Sequence, residues 1–431
     1  MTVEYESLFV PVAVPEDLTM QAQKRGWPED AIQRMRNLRW DRVGIEQWLG
    51  DNGPTAEEVV RRLADAERLA YGTIRGRALT YGDSDALAEL FENSPEEIGE
   101  WDVTVCRSPD AFAQFVLMEN PIIWVLEDRK VLLGSFAIAT KNCLVNGKRI
   151  TVSLVAAWRT RKEVRGMGFS QLIRNWGVSV GQPFAPGQFW YVRSENVAAV
   201  KWMQALGDVL RGTGATDSNG VPGLPVTVMQ YPAAAFTGDG TGIRLTRRGD
   251  ARRAAALINR THKGLDLFRP YTAEYLSTRL DEGFWGTRPS WWRSVYSWRD
   301  HFVLEEDGAV VACAGLWDRG RDIREVWRNR ETGEEKTIET TNVLDFGFLP
   351  GRADAMARLI AFLVGKTHDL GRQFLVVPLQ FLPGVSSELE PLGPVPETRG
   401  LLWRMWRPEP GAPYENPPLA PVRPYTDLAY W

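Results

Sequence analysis

The spacing of apolar residues predicts helices at the start of the chain. Between residues 16 and 70 the apolar positions recur three and four residues apart, which places them on one face of each helix. Thr55, followed three residues later by Glu58, is the start signal of one of these helices, because the two side chains can cap its first turn. We expect a helical appendage over residues 1–72, whose plainest role is packing or dimerisation.

Beyond this segment the pattern changes to apolar strands that alternate with helices, and the same order of segments occurs twice. Three pairs of segments match in order, at offsets of 169, 178 and 185 residues: Ile74 with Ile243, Val125 with Val303, and Gln188 with Gln373. Repetition at a nearly constant offset indicates a duplicated architecture, and the drift fits loop insertions. The predicted domains are residues 73–240 and 241–407, called here the first and second repeats, and a Pro-rich tail follows over 408–431.

The composition is that of a globular chain with a sizeable core, since 44% of the 431 residues are hydrophobic and 25% are charged. The formal net charge of −4 argues against a nucleic-acid-binding protein, because such proteins usually carry a basic surface. No apolar run approaches the ~18 residues of a membrane-spanning helix, and the first residues lack the pattern of a secretory signal. We therefore expect a cytoplasmic protein with no nucleic-acid or membrane partner.

Cysteine and histidine are scarce, with three of each in the whole chain. None of the six lies close to another in sequence, which argues against a disulfide framework and against a zinc site, so we expect no metal. All three histidines lie beyond residue 261. Chemistry in the first repeat must therefore proceed without an imidazole.

The segment with the strongest chemical signal is a strand, a glycine turn and a helix in direct succession. The apolar, β-branched run at 151–158 predicts the strand, and Gly166 and Gly168 form the turn before a helical run at 171–176. Backbone N–H groups at such a helix start can bind a phosphate, and glycine leaves no side chain in its way. Residues 148–174 contain seven cations and one anion, so we expect a positive patch that favours a polyanionic small ligand.

Two common phosphate motifs do not fit this turn. A P-loop requires Gly-Lys-Ser/Thr at the helix start, whereas Gly168 is followed by Phe169 and Ser170. A dinucleotide fingerprint requires a third glycine where Gln171 stands. An ordinary glycine turn with surface arginines remains the alternative to a phosphate site.

In context, the turn resembles the acyl-CoA pyrophosphate signature of the GCN5-related N-acetyltransferase (GNAT) family. Arg165, Gly168 and Ser170 match its Gln/Arg-x-x-Gly-x-Gly/Ala pattern except that Ser stands in the last position, and Asn196 with Ala199 is similar to the family's second motif. The resemblance covers the first repeat well and the second weakly, and tandem members of the family exist. It implies an α/β (α+β) fold of two tandem GNAT-like domains, each a mixed, mostly antiparallel sheet flanked by helices.

The resemblance also implies an acyl-CoA cofactor, which is acetyl-CoA or another acyl-CoA. In this fold the fourth and fifth strands part and the pantetheine arm lies between them; here these strands would be 151–158 and 189–193. The residues that the resemblance assigns to the cofactor are Trp158, Arg159, Thr160, Arg165, Gly166, Met167, Gly168, Phe169, Ser170 and Asn196. Asn196 equally suits a plain helix N-cap.

The catalytic groups are less clearly marked. Alignment on the second motif puts Met203 where the family often has a Tyr that protonates the leaving thiolate, and methionine cannot donate a proton. Tyr191 and Ser194 are the nearest alternatives as the acid, and coenzyme A could instead leave as the thiolate. The candidate bases are Glu195, Glu127 and the carboxylate at the end of the chain.

The second repeat departs from the cofactor signature. Alignment places Arg352 over Arg165, and both turn glycines are replaced by alanine. Asp354 would face the phosphate, and nothing takes the place of Asn196. We predict that this repeat binds no acyl-CoA and that it supports the first repeat or walls its acceptor pocket.

Tryptophan is in excess, with 18 residues, and several of them cluster at 284–298. Such a cluster most often belongs to a core or an interface. The alternatives are an aromatic cage for a cationic or apolar amine and, because arginines lie among the rings, a site for an acid-bearing acceptor.

The sequence thus predicts an acyl-CoA-dependent N-acyltransferase that modifies the amine of a small molecule, with an active first repeat and a degenerate second one. One alternative is an acyl-CoA sensor or scaffold without turnover. Another is a different reaction on a CoA thioester, such as decarboxylation. We expect a monomer or a homodimer.

Overall fold

The structure, a computed structural model, describes most of the chain in two compact units. The described residues are 16–37, 45–46, 49, 54–70, 74–145, 147–165, 187–193, 196, 199, 224–281, 295–378, 384–406 and 428. The first unit is drawn from Met1–Ser94, Ile122–Ala137 and Ala157–Gln182, and the second from Pro95–Pro121, Ile138–Ala156 and Pro183–Trp431.

The described elements alternate between strands and helices after an initial helical segment. The helices are α1 Glu16–Lys24, α2 Ala31–Asn37, α3 Ala56–Ala70, α4 Ser84–Glu92, α5 Ala251–Thr261, α6 Ala273–Asp281, α7 Arg319–Asp322, α8 Ala353–Asp369 and α9 Val385–Leu389. The strands are β1 Ile74–Ala78, β2 Glu96–Ile98, β3 Trp101–Arg107, β4 Pro121–Asp128, β5 Val131–Val145, β6 Lys148–Thr160, β7 Gly187–Val192, β8 Leu224–Pro232, β9 Ile243–Leu245, β10 His301–Glu306, β11 Ala309–Trp317, β12 Ile323–Asn329, β13 Glu335–Ile338, β14 Thr340–Phe348, β15 Phe374–Val377 and β16 Val395–Trp406.

Helices α1, α2 and α3 share a small apolar core. Their apolar positions share a core that includes Leu18, Ile32 and Val59, all of which are fully or almost fully buried. The start signal of α3 is used as expected, because the Glu58 N–H donates to Thr55 Oγ1 at 3.3 Å.

The second unit contains a mixed sheet that is mostly antiparallel. Its strands lie in the order β6-β7-β16-β8-β15-β14-β11-β10-β9. Among these neighbours, β6 with β7 and β14 with β15 are parallel, whereas the other pairs run antiparallel. Each repeat thus contributes one parallel pair, which confirms the predicted tandem arrangement of mixed sheets.

The last strands of the two repeats are exchanged. Strand β8 from the first repeat pairs with β15 of the second, and β16 from the second repeat pairs with β7 of the first. Strands β8 and β16 also pair with each other. The two sheets are therefore continuous through their exchanged strands, and neither repeat closes its sheet with its own last strand.

Helices cover both faces of the sheet in the second repeat. Successive residues of a strand point to opposite faces, and β11 shows this clearly. Ala312 and Ala314 belong to the core under α8, whereas the Cys313 thiol points to α5, where Sγ lies 3.8 Å from the Ala254 carbonyl oxygen. At Gly347 a Cβ would lie 2.4 Å from the Ile258 nitrogen of α5, so this position requires glycine.

The two repeats open with the same ion-paired corner. In the first unit, β1 pairs with β4, and Arg77 bonds to Asp83 at 2.7 Å and to Glu127 at 2.9 Å. In the second unit, β9 pairs with β10, and Arg244 bonds to Asp250 and Glu305 in the same way. The matching positions show that the two repeats share their local architecture as well as their order of elements.

A second, smaller sheet joins an insertion from each repeat. Its four strands lie in the order β13-β12-β3-β2, and β12 pairs with β3 over seven residues, from Ile323 opposite Arg107 to Asn329 opposite Trp101. We call it the small sheet. Strands β2 and β3 are inserted before β4 in the first repeat, and β12 and β13 are inserted before β14 in the second. The small sheet therefore lies outside the strand order that the two repeats share.

Candidate functional site

The parallel pair of β6 and β7 is the framework of the candidate site. Its described rungs run from Val152 opposite Gly187 to Val155 opposite Trp190, and β6 then continues to Thr160. Two residues past the last rung, Ala157 takes a left-handed backbone conformation, with φ of 52°, and its carbonyl oxygen accepts a bond from Ser135 Oγ at 3.0 Å. A non-glycine residue rarely adopts this conformation. The strand therefore bends at the point where its parallel pairing ends.

The end of β6 brings four of the predicted cofactor residues together in the first unit. The Arg159 guanidinium donates to the Trp158 carbonyl oxygen at 2.9 Å and lies over the Phe91 ring of α4 at 5.1 Å. Arg165 Nε donates to the Thr160 carbonyl oxygen at 3.3 Å. Both guanidinium groups are thereby held close to the strand end that leads into the glycine turn.

The described residues include six of the seven cations of the predicted positive patch. Lys148 and Arg149 begin β6, Arg159 lies near its end and Arg161 follows it. Arg161 is engaged in the first unit, since it donates to the Leu132 carbonyl oxygen at 3.0 Å and to Glu89 at 3.0 Å. The single patch over residues 148–174 stays a prediction, because residues 166–174 lie outside the described part of the chain.

Several predicted residues lie outside the described part of the chain. They are Gly166, Met167, Gly168, Phe169 and Ser170 of the turn, the candidate catalytic residues Ser194 and Glu195, and Met203. Tyr191, the other candidate acid, belongs to β7, where it stands opposite Leu402 of β16.

Asn196 forms the contact that is typical of a helix N-cap. Its Oδ1 accepts the Ala199 N–H at 3.0 Å, three residues on, as a capping side chain does. Its Nδ2 donates to Glu96 Oε2 of the small sheet at 3.4 Å. Asn196 belongs to the second unit, whereas Trp158, Arg159, Thr160 and Arg165 belong to the first.

A charged cluster next to Asn196 was not predictable from the sequence. Arg193, the residue after β7, donates to Glu325 of β12 at 2.7 Å, and Glu325 also accepts from Arg319 at 3.1 Å. Glu325 is almost fully buried, so two guanidinium groups balance one buried carboxylate. The partners lie 132 residues apart in sequence, and only the small sheet brings them together.

The second repeat has a matching bend that is filled by its own side chains. Asp345 of β14 has φ of 48°, three residues past the last parallel rung, Asn342 opposite Val376. Its carboxylate accepts from the Tyr271 hydroxyl at 2.5 Å and from Arg279 Nε at 2.9 Å, and both Asp345 and Arg279 are buried. The chain therefore places a neutralised ion pair where the first repeat has an alanine.

The segment of the second repeat that the sequence aligns with residues 165–170 begins helix α8, and its first turn is acidic. Asp354 lies in the first turn of α8, where Arg352 holds it at 2.9 Å. The bonds from Arg352 lower the pKa of the Asp354 carboxyl. Arg352 also pairs with Glu306 at 2.7 Å, so this arginine has two carboxylate partners.

Two of the three histidines are structural. His262 and His301 are buried, and each bonds through Nε2 to a β14 carbonyl oxygen, Phe346 at 2.9 Å and Asp345 at 3.1 Å respectively. Burial lowers the pKa of His301. His368, the third, is exposed near the end of α8.

The Trp-rich segment at 284–298 is described only from residue 295 onward. Tyr296 is fully buried, which raises the pKa of its hydroxyl, and Trp298 Nε1 donates to Asp281 at 2.6 Å. These two residues therefore serve packing and local bonding. The remaining tryptophans and arginines of the cluster lie outside the described residues.

Within the described ranges, no group of three or more His, Cys, Asp or Glu side chains could hold a metal ion. A search of the same ranges finds no helix with the length and apolar character needed to cross a membrane. Cys143 and Cys313 are buried, and burial raises the pKa of the Cys143 thiol to about 12, so it is not a reactive thiolate.

Comparison with known proteins shows the likeness only at the level of structure. No family profile and no curated protein matches the sequence. Saccharomyces cerevisiae N-myristoyltransferase with bound myristoyl-CoA superimposes with a TM-score of 0.53 at 10% identity, over 78% of this chain and 84% of that chain. A second structure of that enzyme gives a TM-score of 0.54 at 11% identity, over 78% and 80%.

A GCN5-related N-acetyltransferase from Sphaerobacter thermophilus matches 83% of this chain and 99% of its own, at 17% identity and a TM-score of 0.46. N-myristoyltransferase is itself a tandem GNAT protein. The chain therefore has the tandem fold of the GCN5-related N-acetyltransferases.

Proposed function

We propose that the protein transfers an acyl group from acyl-CoA to the amine of a small molecule. The observation that carries this proposal is the bend at Ala157, which ends the parallel pair of β6 and β7 and leads within eight residues to the signature that begins at Arg165. N-myristoyltransferase, which shares the tandem fold, was solved with myristoyl-CoA bound. Acetyl-CoA is our first choice of donor, with longer acyl chains as the alternative.

The cofactor would be held by the residues that follow the bend. Gly166 to Ser170 would present backbone N–H groups to the pyrophosphate, with Met167 and Phe169 contributing main chain only, and Arg165 would add a positive charge. The backbone of Trp158 and Thr160, beside Arg159, would bind the pantetheine arm and the thioester oxygen. Asn196 would act through the helix start that it caps.

The reaction needs an acid and a base near the end of β7. The amine nitrogen attacks the thioester carbonyl carbon, the carbon–sulfur bond breaks, and the amide forms. Tyr191 or Ser194 would give a proton to the departing thiolate, and Glu195 would take the proton that the amine loses. Because Met203 stands in the usual place of the acid, departure of coenzyme A as the thiolate is the alternative.

We further propose that the second repeat binds no acyl-CoA. Support comes from Asp354, whose negative charge at the start of α8 would repel a pyrophosphate. Support also comes from the buried pair of Arg279 and Asp345, which fills the bend of this repeat with polar side chains. This repeat would support the first through the exchanged strands.

A cytoplasmic location is also proposed, since buried, unpaired Cys143 and Cys313 suit a reducing compartment.

An acyl-CoA sensor without turnover is the second candidate, and Met203 is the observation that favours it. Release of free coenzyme A from acetyl-CoA, followed across a panel of primary amines, separates the two. Amine-dependent release that Glu195→Gln reduces at least tenfold supports transfer. Tight binding of acetyl-CoA with no release across the panel contradicts transfer and favours the sensor.

A further inference from the structure

The first helix of each repeat carries exposed charges, and the two helices have opposite sign. Helices α4 and α5 correspond to each other, because α4 follows Asp83 and α5 follows Asp250, the carboxylates of the two matching ion-paired corners. Every charged residue of α4 is acidic, whereas every charged residue of α5 is an arginine. Two helices with the same place in the repeat therefore present surfaces of opposite charge.

The acidic residues of α4 lie on one side of the helix. Asp85, Glu89 and Glu92 are spaced by four and three residues, which places them on one face, and all three are exposed. We call them the acidic stripe. Glu89 bonds to Arg161 at 3.0 Å. Asp85 and Glu92 have no cationic partner among the described residues, so their charges are open to a partner from outside the chain.

The arginines of α5 also share an exposed side. Arg253 and Arg260 are seven residues apart, which is about two helical turns, and Ala256 is exposed between them. Arg252 is exposed beside Arg253, and we call the three arginines the basic stripe. In the part of the chain that the structure describes, no carboxylate pairs with any of them. This side of α5 therefore carries an uncompensated positive charge.

Each helix has charges at the end where its own dipole disfavours them. The dipole of a helix favours anions near its N-terminus and cations near its C-terminus. Arg252 and Arg253 lie in the first turn of α5, which contains no acidic residue. Glu92 is the last residue of α4, and the last turn of that helix contains no basic residue. The helices themselves do not account for these charges, which points to a partner of opposite charge.

The two stripes match in spacing when the helices run in opposite directions. Asp85 and Glu92 are seven residues apart, as Arg253 and Arg260 are, and seven residues span about 10 Å of helix. The antiparallel arrangement gives three opposed pairs: Asp85 with Arg260, Glu89 with Ala256, and Glu92 with Arg253. Glu89, which already has a partner in Arg161, would thus meet a small side chain and not a second cation. The charges that each helix dipole disfavours would be balanced across the contact.

We propose that the acidic stripe of one copy of the chain binds the basic stripe of a second copy, with α4 and α5 antiparallel. Each copy carries both stripes, so the contact can form twice in a two-fold dimer. Ion pairs between exposed side chains are individually weak, so the association should be weak and sensitive to salt. The plain rivals are that the charges only solvate these helix faces, and that the arginines bind an anionic membrane.

Sedimentation velocity over a range of protein concentrations measures self-association. We expect the wild type to associate at low salt, and its dissociation constant to rise at least about tenfold at high salt, because salt screens exposed charges. Arg253→Glu combined with Arg260→Glu reverses the basic stripe. Asp85→Arg combined with Glu92→Arg reverses the acidic stripe. Each double variant should remain monomeric on its own, because its α4 and α5 carry charges of the same sign.

A mixture of the two double variants tests the pairing itself. The reversed α5 of one variant would meet the reversed α4 of the other, so the mixture should associate as the wild type does. The control is Arg324→Glu combined with Arg328→Glu, which makes the same change in net charge as the reversal of the basic stripe, at two exposed arginines of β12. This control should leave self-association unchanged. Melting curves establish that all the variants are folded.

Three results would overturn the inference. They are a wild type that is monomeric at every salt concentration, self-association that neither reversal weakens, and a mixture of folded variants that stays monomeric. A monomeric wild type that binds phosphatidylserine vesicles through Arg253 and Arg260 would assign the basic stripe to a membrane surface instead. Because none of these measurements uses acyl-CoA or an amine, their outcome is independent of the proposed function.

Discussion

Arg279 donates through Nε to Asp345 at 2.9 Å, and neither side chain has any exposed surface. The carboxylate also accepts from the Tyr271 hydroxyl, and the guanidinium donates to the Leu117 carbonyl oxygen at 3.0 Å. A buried pair of this kind persists because each partner neutralises the other and its remaining bonds are satisfied. In the second repeat it occupies the bend that corresponds to the bend before the cofactor signature of the first.

Removal of the arginine should therefore be costly. Arg279→Leu leaves Asp345 buried and unpaired, and we expect it to lower the free energy of unfolding by about 3–5 kcal/mol. Urea titration at pH 7 measures the change. Arg248→Leu is the control, since Arg248 pairs with Asp281 on the surface, and it should cost less than about 1 kcal/mol. Equal losses for the two variants would show that the buried pair contributes no more than a surface pair.

The ion-paired corner of the first repeat should make stability depend on acid pH. The bond from Arg77 lowers the pKa of the Asp83 carboxyl to about 2 from an ordinary value of 3.8. A lowered folded-state pKa contributes stability that is complete above about pH 4 and is lost as the pH falls towards 2. Arg77→Met should thus destabilise the protein at pH 7, and the difference from wild type should shrink between pH 4 and 2.

Arg61→Met is the control for this pH series. Arg61 is an exposed residue of α3 whose contact with Glu58 measures 4.0 Å, so its removal should change stability little at any pH. Thermal melts of the three proteins between pH 7 and 2 supply the comparison. A constant difference between Arg77→Met and wild type over the whole range would contradict the assigned pairing.

Asp110 should show the opposite pH dependence. Burial is the main cause that raises the pKa of its carboxyl to about 6, and the charge of nearby Asp322 adds to it. A raised folded-state pKa contributes stability that is present below the unfolded value of 3.8 and is lost as the pH rises through 6. Asp110→Asn should therefore stabilise the protein at pH 7.5 and have little effect at pH 4.

Asparagine is the appropriate replacement at this position because its amide oxygen can still accept the Phe112 N–H, which Asp110 Oδ1 accepts at 2.8 Å. Melting temperatures at the two pH values measure the effect. Destabilisation at pH 7.5 would mean that the carboxylate is stabilised by its charge and would contradict the raised pKa.

The proposed difference between the repeats predicts the stoichiometry of cofactor binding. If Asp354 and the buried pair exclude acyl-CoA from the second repeat, the chain should bind one equivalent of acetyl-CoA. Equilibrium dialysis with radiolabelled acetyl-CoA counts the sites. Two equivalents, or one equivalent that Arg352→Ala abolishes, would place a cofactor site in the second repeat.

The repeated fold was well predicted because the sequence patterns that indicate it are local. Strand and helix patterns depend on residues that are close in sequence, and the helix cap at Thr55 and the N-cap contact of Asn196 are of this kind. The alignment of the first strands of the two repeats was wrong by two residues. The sequence pattern matched Ile74 with Ile243. The ion pairs, and the valines that stand opposite the two arginines, show instead that Arg77 corresponds to Arg244, so the true offset is two residues shorter than the predicted one.

Features that depend on distant parts of the chain were not predictable from one sequence. The local sequence does not indicate the exchange of β8 and β16, because either strand would have the same pattern of apolar residues in either sheet. The contact of Arg193 with Glu325 exists only because two insertions pair to form the small sheet.

Binding of acetyl-CoA, measured by isothermal titration calorimetry on the wild type and on Gly168→Trp, tests the central claim most directly. The side chain added at Gly168 would occupy the space that the signature leaves for the pyrophosphate. We predict that the wild type binds and that the variant, folded as judged by its melting curve, loses at least a hundredfold in affinity. No binding by the wild type, or equal binding by the variant, would contradict the assignment of this turn to acyl-CoA.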